Sequence, residues 1–259
     1  MKKAKIMLSS IVLCTLVYFA NAQEIASVHI QYKLTYVIDT TQPESPDIAY
    51  FSLFLGKNSS KYVDYVDPAN NNNFSFTKLS NQPIYKYIET DTMIMEMPMP
   101  QVRYAITELI PVIEWSLGKE QKKILGYSCQ SATGTYRGRN YTAWFTPQLS
   151  FKNGPWKFGG LPGLILEIYD QKKEITWEAQ SSTLAIDEGM KIIQPKKNVI
   201  NISDDEFKKL VHAMARDEGA FRGSASDRPL PPGVTVTVVP KNAPNGRKYR
   251  KFNNPIEKN

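Results

Sequence analysis

Cysteine catalysis needs a thiolate with a histidine base within hydrogen-bond reach, and this chain has little to build it from. Its cysteines are Cys14 and Cys129 and its histidines His29 and His212. Cys14 lies inside an apolar N-terminal run. Cys129 falls mid-strand, with no glycine-rich elbow or helix N-terminus to lower its pKa, and reads as a small buried core thiol. Serine catalysis is no better served. Gly-x-Ser-x-Gly is absent, and Gly223-Ser224-Ala225-Ser226-Asp227 lacks the strand-turn-helix setting of a nucleophile elbow. Two histidines cannot supply a histidine-rich zinc site, and no His-Glu-x-x-His occurs. Glu167 and Glu178 lie on neighbouring expected strands, where they could face each other, but no apolar wall beside them marks a perturbed carboxyl pair.

One constellation is unusual. Met93, Met95, Met97 and Met99 are spaced by two, which puts their thioethers on one face of a strand. Soft thioethers select Cu(I), so a copper-handling strand is one reading. The other is a core strand in which flexible methionines fill gaps. Pro98 and Pro100 end the strand and leave Met99 in a loop. No cofactor is expected on the second reading, and Cu(I) is its alternative.

The elements that would position these groups are mostly strands. Val28, Ile30, Tyr32, Leu34, Tyr36 and Ile38 alternate with polar residues, the mark of a half-buried strand. Further strands are expected at 48–55, 84–89, 92–97 and 112–117. A hairpin at 124–146 turns at Arg137-Gly138-Arg139-Asn140, and a second pair at 164–169 and 174–180 turns at 170–173. Asp67-Pro68-Ala69 and the four asparagines after it predict an exposed loop. Ser203-Asp204-Asp205-Glu206 is a capping box opening a helix whose apolar stripe is Phe207, Leu210, Val211 and Met214, with Gly219 as its stop. Asp204 and Asp205 are explained by that helix N-terminus.

The N-terminus reads as a cleavable signal peptide over residues 1–22. Lys2, Lys3 and Lys5 precede an apolar stretch at 6–20, and Ala20-Asn21-Ala22 is a small-x-small cleavage pattern. The apolar run is short of the roughly 20 residues a membrane helix needs, and no later segment is apolar enough to cross. Removing 22 of 259 residues, three of them lysines, takes the formal charge from +7 to +4. That mild balance does not suit a nucleic-acid binder. Only Cys129 then remains, so no internal disulfide forms and the core must hold the fold.

The stretch Gly126–Asp170 carries a resemblance. Its hexapeptide Gly160-Leu161-Pro162-Gly163-Leu164-Ile165, with upstream Gly-Tyr-x-Cys, Ala-Trp-Phe and Gly-Pro-Trp-Lys-Phe blocks and the terminal Asn254-Pro255-Ile256-Glu257, resembles the GLPGLI family. The resemblance implies an exported envelope protein of certain Gram-negative bacteria. It brings no established activity and no catalytic residues. Physically the hexapeptide reads as architecture: its glycines open a strand rather than a helix, and no Lys-Ser/Thr pair follows as in a phosphate cradle.

These observations predict an α+β protein, mostly antiparallel β, with a curved meander sheet or open half-barrel and one or two packed helices. Residues 23–221 form a single β-rich domain, and 222–259 form an extended, partly mobile C-terminal segment. The expected role is a non-enzymatic binding or accessory module of the periplasm, outer membrane or cell exterior. It would use an apolar concave face for an apolar ligand or an envelope protein. A Cu(I) protein and a hydrolase whose residues converge only in three dimensions are the alternatives.

Overall fold

The structure, a computed structural model, describes residues 24–65, 82–98, 103–184, 199–216 and 254–257. The expected leader and most of the C-terminal segment lie outside them. Twelve strands form one open sheet: β1 (Val28–Tyr36), β2 (Asp47–Leu55), β3 (Ser59–Asp64), β4 (Ile84–Tyr87), β5 (Thr92–Pro98), β6 (Arg103–Leu109), β7 (Trp115–Ile124), β8 (Tyr127–Tyr136), β9 (Arg139–Thr146), β10 (Leu164–Asp170), β11 (Ile175–Leu184) and β12 (Ile200–Ile202). Their spatial order is β12-β6-β5-β4-β3-β2-β1-β11-β10-β9-β8-β7. Every pairing is antiparallel except β12 with β6. The chain therefore runs as two meanders joined where β1 meets β11.

The α+β expectation is corrected: the protein is nearly all β. A single described helix, α1 (Asp204–Arg216), follows its capping box, with Ser203 and Glu206 exchanging hydrogen bonds as the sequence predicts. It meets the sheet through Phe207, whose ring stands edge-on to Tyr104 at 6.0 Å. A sheet with one apolar face must cover it. The sequence reading assigned that cover to helices, whereas the β9–β10 connection supplies it.

Strict alternation on β1 buries Val28, Ile30, Tyr32, Leu34 and Tyr36 on the inner face and leaves their neighbours half-exposed. Residues 147–163 fold back across that face. Trp156 stacks on Trp177 at 5.8 Å, and Phe158 packs edge-on against Tyr141 at 4.8 Å and Trp177 at 5.4 Å. Leu149, Trp156, Phe158 and Leu161 join one continuous core with the inward residues of the sheet. The tight β-turns use the torsions they require: Leu125-Gly126 and Arg137-Gly138 both take positive φ, which matches the twist of the flanking strands. Edge strand β7 is blunted by Lys119, Glu120, Lys122 and Lys123.

Candidate functional site

The residues singled out for chemistry do not converge. Cys129 is buried, its thiol directed at the Tyr127 carbonyl, and burial pushes its pKa up to about 11, away from thiolate. His29 lies on β1, separated from β8 by three intervening strands. Its ring stacks on Phe54 at 4.5 Å and its Nε2 meets Ser52 Oγ at 2.9 Å. Partial burial lowers its pKa. The side chain of His212 is outside the described residues. Glu167 and Glu178 are direct cross-strand partners, as their placement suggested. Lys122 Nζ lies 2.6 Å from Glu167, and Lys33 stands opposite Glu178 in the register. Each of the two carboxylates is thus offset by a neighbouring lysine.

Met93 and Met95 point inward and are buried in the core, and Met97 packs against it. Their thioethers share one face, and that face is the packed one. Met99 lies outside the described residues. Among the described residues, no group of three or more His, Cys, Asp or Glu side chains could hold a metal ion.

The hexapeptide is where the cover re-enters the sheet. Gly160 turns with φ +87°. At Gly163 a Cβ would fall 2.2 Å from the Thr146 carbonyl oxygen, so the β9 end and the β10 start approach as only glycine allows. Leu161, Leu164 and Ile165 are buried, and Ile165 N donates to Asn153 O at 3.0 Å. The cover is pinned from the far side of the sheet. Lys86 on β4 is buried, with its ammonium donating to Phe158 O at 2.6 Å and Asn153 Oδ1 at 3.0 Å. Asn153 Nδ2 donates to Ser60 Oγ at 2.8 Å. Burial lowers the Lys86 pKa to about 7, and no acidic side chain among the described residues pairs with it. The loop carbonyls aim at a cation, the opposite of an anion cradle.

Residues 254–257 form a second lock. Asn254 and Ile256 are buried. Arg139 pairs with Asp170 at 2.9 Å and donates to the Pro255 carbonyl at 2.7 Å and to the Asn254 side chain. Asn254 Nδ2 donates to Val37 O at 2.7 Å, the Tyr36 hydroxyl donates to the Asn254 carbonyl, and Lys157 holds Glu257 at 2.7 Å. This part of the expected extended segment is therefore seated in the fold; the rest of it lies outside the described residues.

The inner face is filled, and a cleft opens on the outer face. A cleft of about 780 Å³ lies beneath Val112 and Glu114, over strands β7 to β10. Ser116, Thr133, Thr142 and Tyr169 floor it, with Thr135, Asn140 and Gln171 alongside. Among the described residues Glu114 is its one carboxylate, and no lysine or arginine lines it. Sequence reasoning missed these residues, whose only local signal is threonine at alternate strand positions. It also missed Lys86 and Arg139, which look like solvated strand lysines and turn arginines until long-range packing buries them.

The family profile described as "Protein of unknown function (Porph_ging)" matches residues 135–167, from the β8–β9 hairpin through the hexapeptide. No curated protein matches the chain. Two solved structures of PNGF-II, in C2 and P21 space groups, are similar in fold. They align with TM-scores of 0.53 and 0.52 at 15% and 14% identity, over 71% and 72% of this chain. The match spans about a third of the PNGF-II chain, 32% and 33% respectively. The likeness is one of fold. No described helix is long and apolar enough to cross a membrane.

Proposed function

We propose that residues 1–22 export this protein and that it works in the cell envelope as a non-enzymatic binding or accessory module, with the outer cleft as its contact site. The observation that carries this reading is the pairing of a filled inner face with an open outer one. The apolar concave surface expected to hold an apolar ligand is occupied by the protein's own Trp156, Phe158 and Leu161. The cleft of about 780 Å³ keeps hydroxyl and amide groups facing solvent, the few convergent polar groups that a binding site needs. The buried thiol of Cys129, lying apart from His29, favours binding over a hydrolase.

The test is native mass spectrometry of the full-length gene product purified from its own envelope fraction, with Thr142→Trp as a cleft-filled comparison. Thr142 is half-exposed on the outer face, so the larger ring fills the cleft without entering the core. The expected result is a chain beginning at Gln23 with an adduct that the filled variant loses. An uncleaved or unexported chain sinks the export reading. An adduct retained by Thr142→Trp, or none on either protein, sinks the cleft.

A further inference from the structure

The register of the sheet places hydroxyl side chains in a single row across the outer face. Ser116 on β7 is directly opposite Thr133 on β8, and Thr133 is opposite Thr142 on β9. Thr142 is opposite Tyr169 on β10, Tyr169 opposite Thr176 on β11, and Thr176 opposite Thr35 on β1. The row spans six neighbouring strands, and at strand spacings of about 4.8 Å it extends roughly 24 Å. No hydrogen bond within the protein engages any of these six hydroxyls among the described residues. All six are half-exposed or exposed. The first four floor the cleft, so a ligand held there would leave it along the row.

Threonine favours strands for its shape alone, so single outward threonines mean little. What distinguishes this row is its alignment with the cleft and its charge. The parallel row beside it runs Lys33, Glu178 and Glu167, with Lys122 paired to Glu167, so its two positive and two negative charges cancel. Glu114 is the cleft's carboxylate and Lys173, over the Tyr169 ring at 5.0 Å, stands at its rim. Among the described residues Glu114 is the charge that lines the cleft, which repels a polyanion, and an apolar chain would strip water from hydroxyls without replacing their hydrogen bonds. A neutral chain rich in hydroxyl groups satisfies both conditions, because each hydroxyl donates and accepts.

We infer that the Ser116–Thr133–Thr142–Tyr169–Thr176–Thr35 row is a binding track for a neutral polysaccharide, anchored in the cleft and running across the outer face. This inference rests on the cleft reading above and adds the ligand's chemistry to it. Hydrogen bonds from several sugar hydroxyls, individually weak in water, would add along an extended chain and give affinity that grows with chain length.

Affinity electrophoresis and calorimetry test it on the full chain, with soluble neutral glucan, mannan and xylan as probes and heparin as the polyanion control. At least one neutral polymer should retard the wild type, with heparin giving no comparable effect. The Thr133→Val/Thr142→Val/Thr176→Val variant keeps side-chain shape while removing three hydroxyls. It should lose about tenfold or more in affinity with an unchanged unfolding midpoint. Thr35→Val, at the far end of the row, should weaken binding of long chains and leave short oligosaccharides unaffected. No retardation by any neutral polymer, retardation by heparin alone, or undiminished binding by the triple variant overturns the inference. A non-carbohydrate adduct that cleft filling removes would overturn it while leaving the binding-module reading intact.

Discussion

The two faces of the sheet solve opposite problems. On the inner face strands β1 to β6 and β8 to β11 contribute buried apolar residues, and residues 147–163 and 254–257 seal them with Trp156, Phe158, Leu161 and Ile256. On the outer face of the β7–β1 half, a row of hydroxyl side chains runs beside compensated charge and Trp144, whose ring lies under Lys122, and the cleft remains open. The hexapeptide therefore belongs to construction, and the surface that faces other molecules lies on the reverse side. The contrast teaches that the most distinctive sequence motif of a chain can mark the point where its backbone is most constrained.

Gly163 gives the largest expected effect. An alanine Cβ there would meet the Thr146 carbonyl oxygen at 2.2 Å, the Thr146 carbonyl carbon at 2.6 Å and Pro147 Cα at 2.9 Å. All three are backbone atoms and cannot rotate away, so Gly163→Ala should lose about 4 kcal/mol or fail to fold. Gly126→Ala is the matched control. It has φ +85° with no atom within 4 Å of the new Cβ, so only the left-handed backbone is strained, at about 1–2 kcal/mol. Denaturant titration of both variants checks the difference. Equal losses would mean that the close approach at Gly163 is not what constrains the cover.

Lys86 comes next, and its effect appears in pH dependence. Its folded pKa is lowered to about 7 from the ordinary 10.5. Between those values the unfolded chain holds more protons than the folded one, so raising pH stabilises the folded state. Below pH 7 both states are protonated and the burial penalty is fully present. Wild type should therefore gain stability relative to Lys86→Met from pH 7 towards pH 10, by up to about 1.4 kcal/mol per pH unit. Urea unfolding of the pair at pH 7, 8 and 9 reads this directly. Parallel curves would show that the three carbonyl oxygens around the ammonium, at Phe158, Asn153 and Gly154, hold it charged through that range.

What the sequence revealed of this architecture was local. Alternation on β1 and β2, the glycine turn at Arg137-Gly138 and the Ser203–Glu206 capping box all act over a few residues and were legible. Strands β3 and β6 were not. Ser59 and Ser60 break apolar alternation because they are buried for polar reasons: Ser59 binds the Glu24 carboxylate and Ser60 accepts from Asn153. The inner cover escaped because Trp156 and Phe158 meet Trp177 and Tyr141 only after the chain folds back, so helices were expected in its place. The hydroxyl row was hidden more deeply. Its alignment depends on register, which the irregularities at Gln31/Tyr32 and Ile165/Glu167 shift by a residue. A one-residue slip moves a side chain to the other face, and no local pattern encodes it.

Exchanging the methionines for leucine gives the smallest expected effect and the sharpest test of which face they serve. Met93 and Met95 are opposed by Lys86 and Ile84 on β4 and by Glu108 and Ile106 on β6. They pack inward, where their thioethers fill volume. Leucine has nearly the same volume, so Met93→Leu and Met95→Leu should each cost less than about 1.5 kcal/mol, whereas Met95→Ala should cost about 2–5 kcal/mol through the cavity it leaves. If packing is their whole role, Cu(I) added under reducing conditions will leave the wild-type midpoint where the leucine variants have it. A ligand that binds only the native state raises stability in proportion to its affinity. A copper-dependent rise in the wild type that disappears in Met93→Leu/Met95→Leu would therefore assign these thioethers to metal, and would require β5 to open the inner face that the rest of the molecule is built to close.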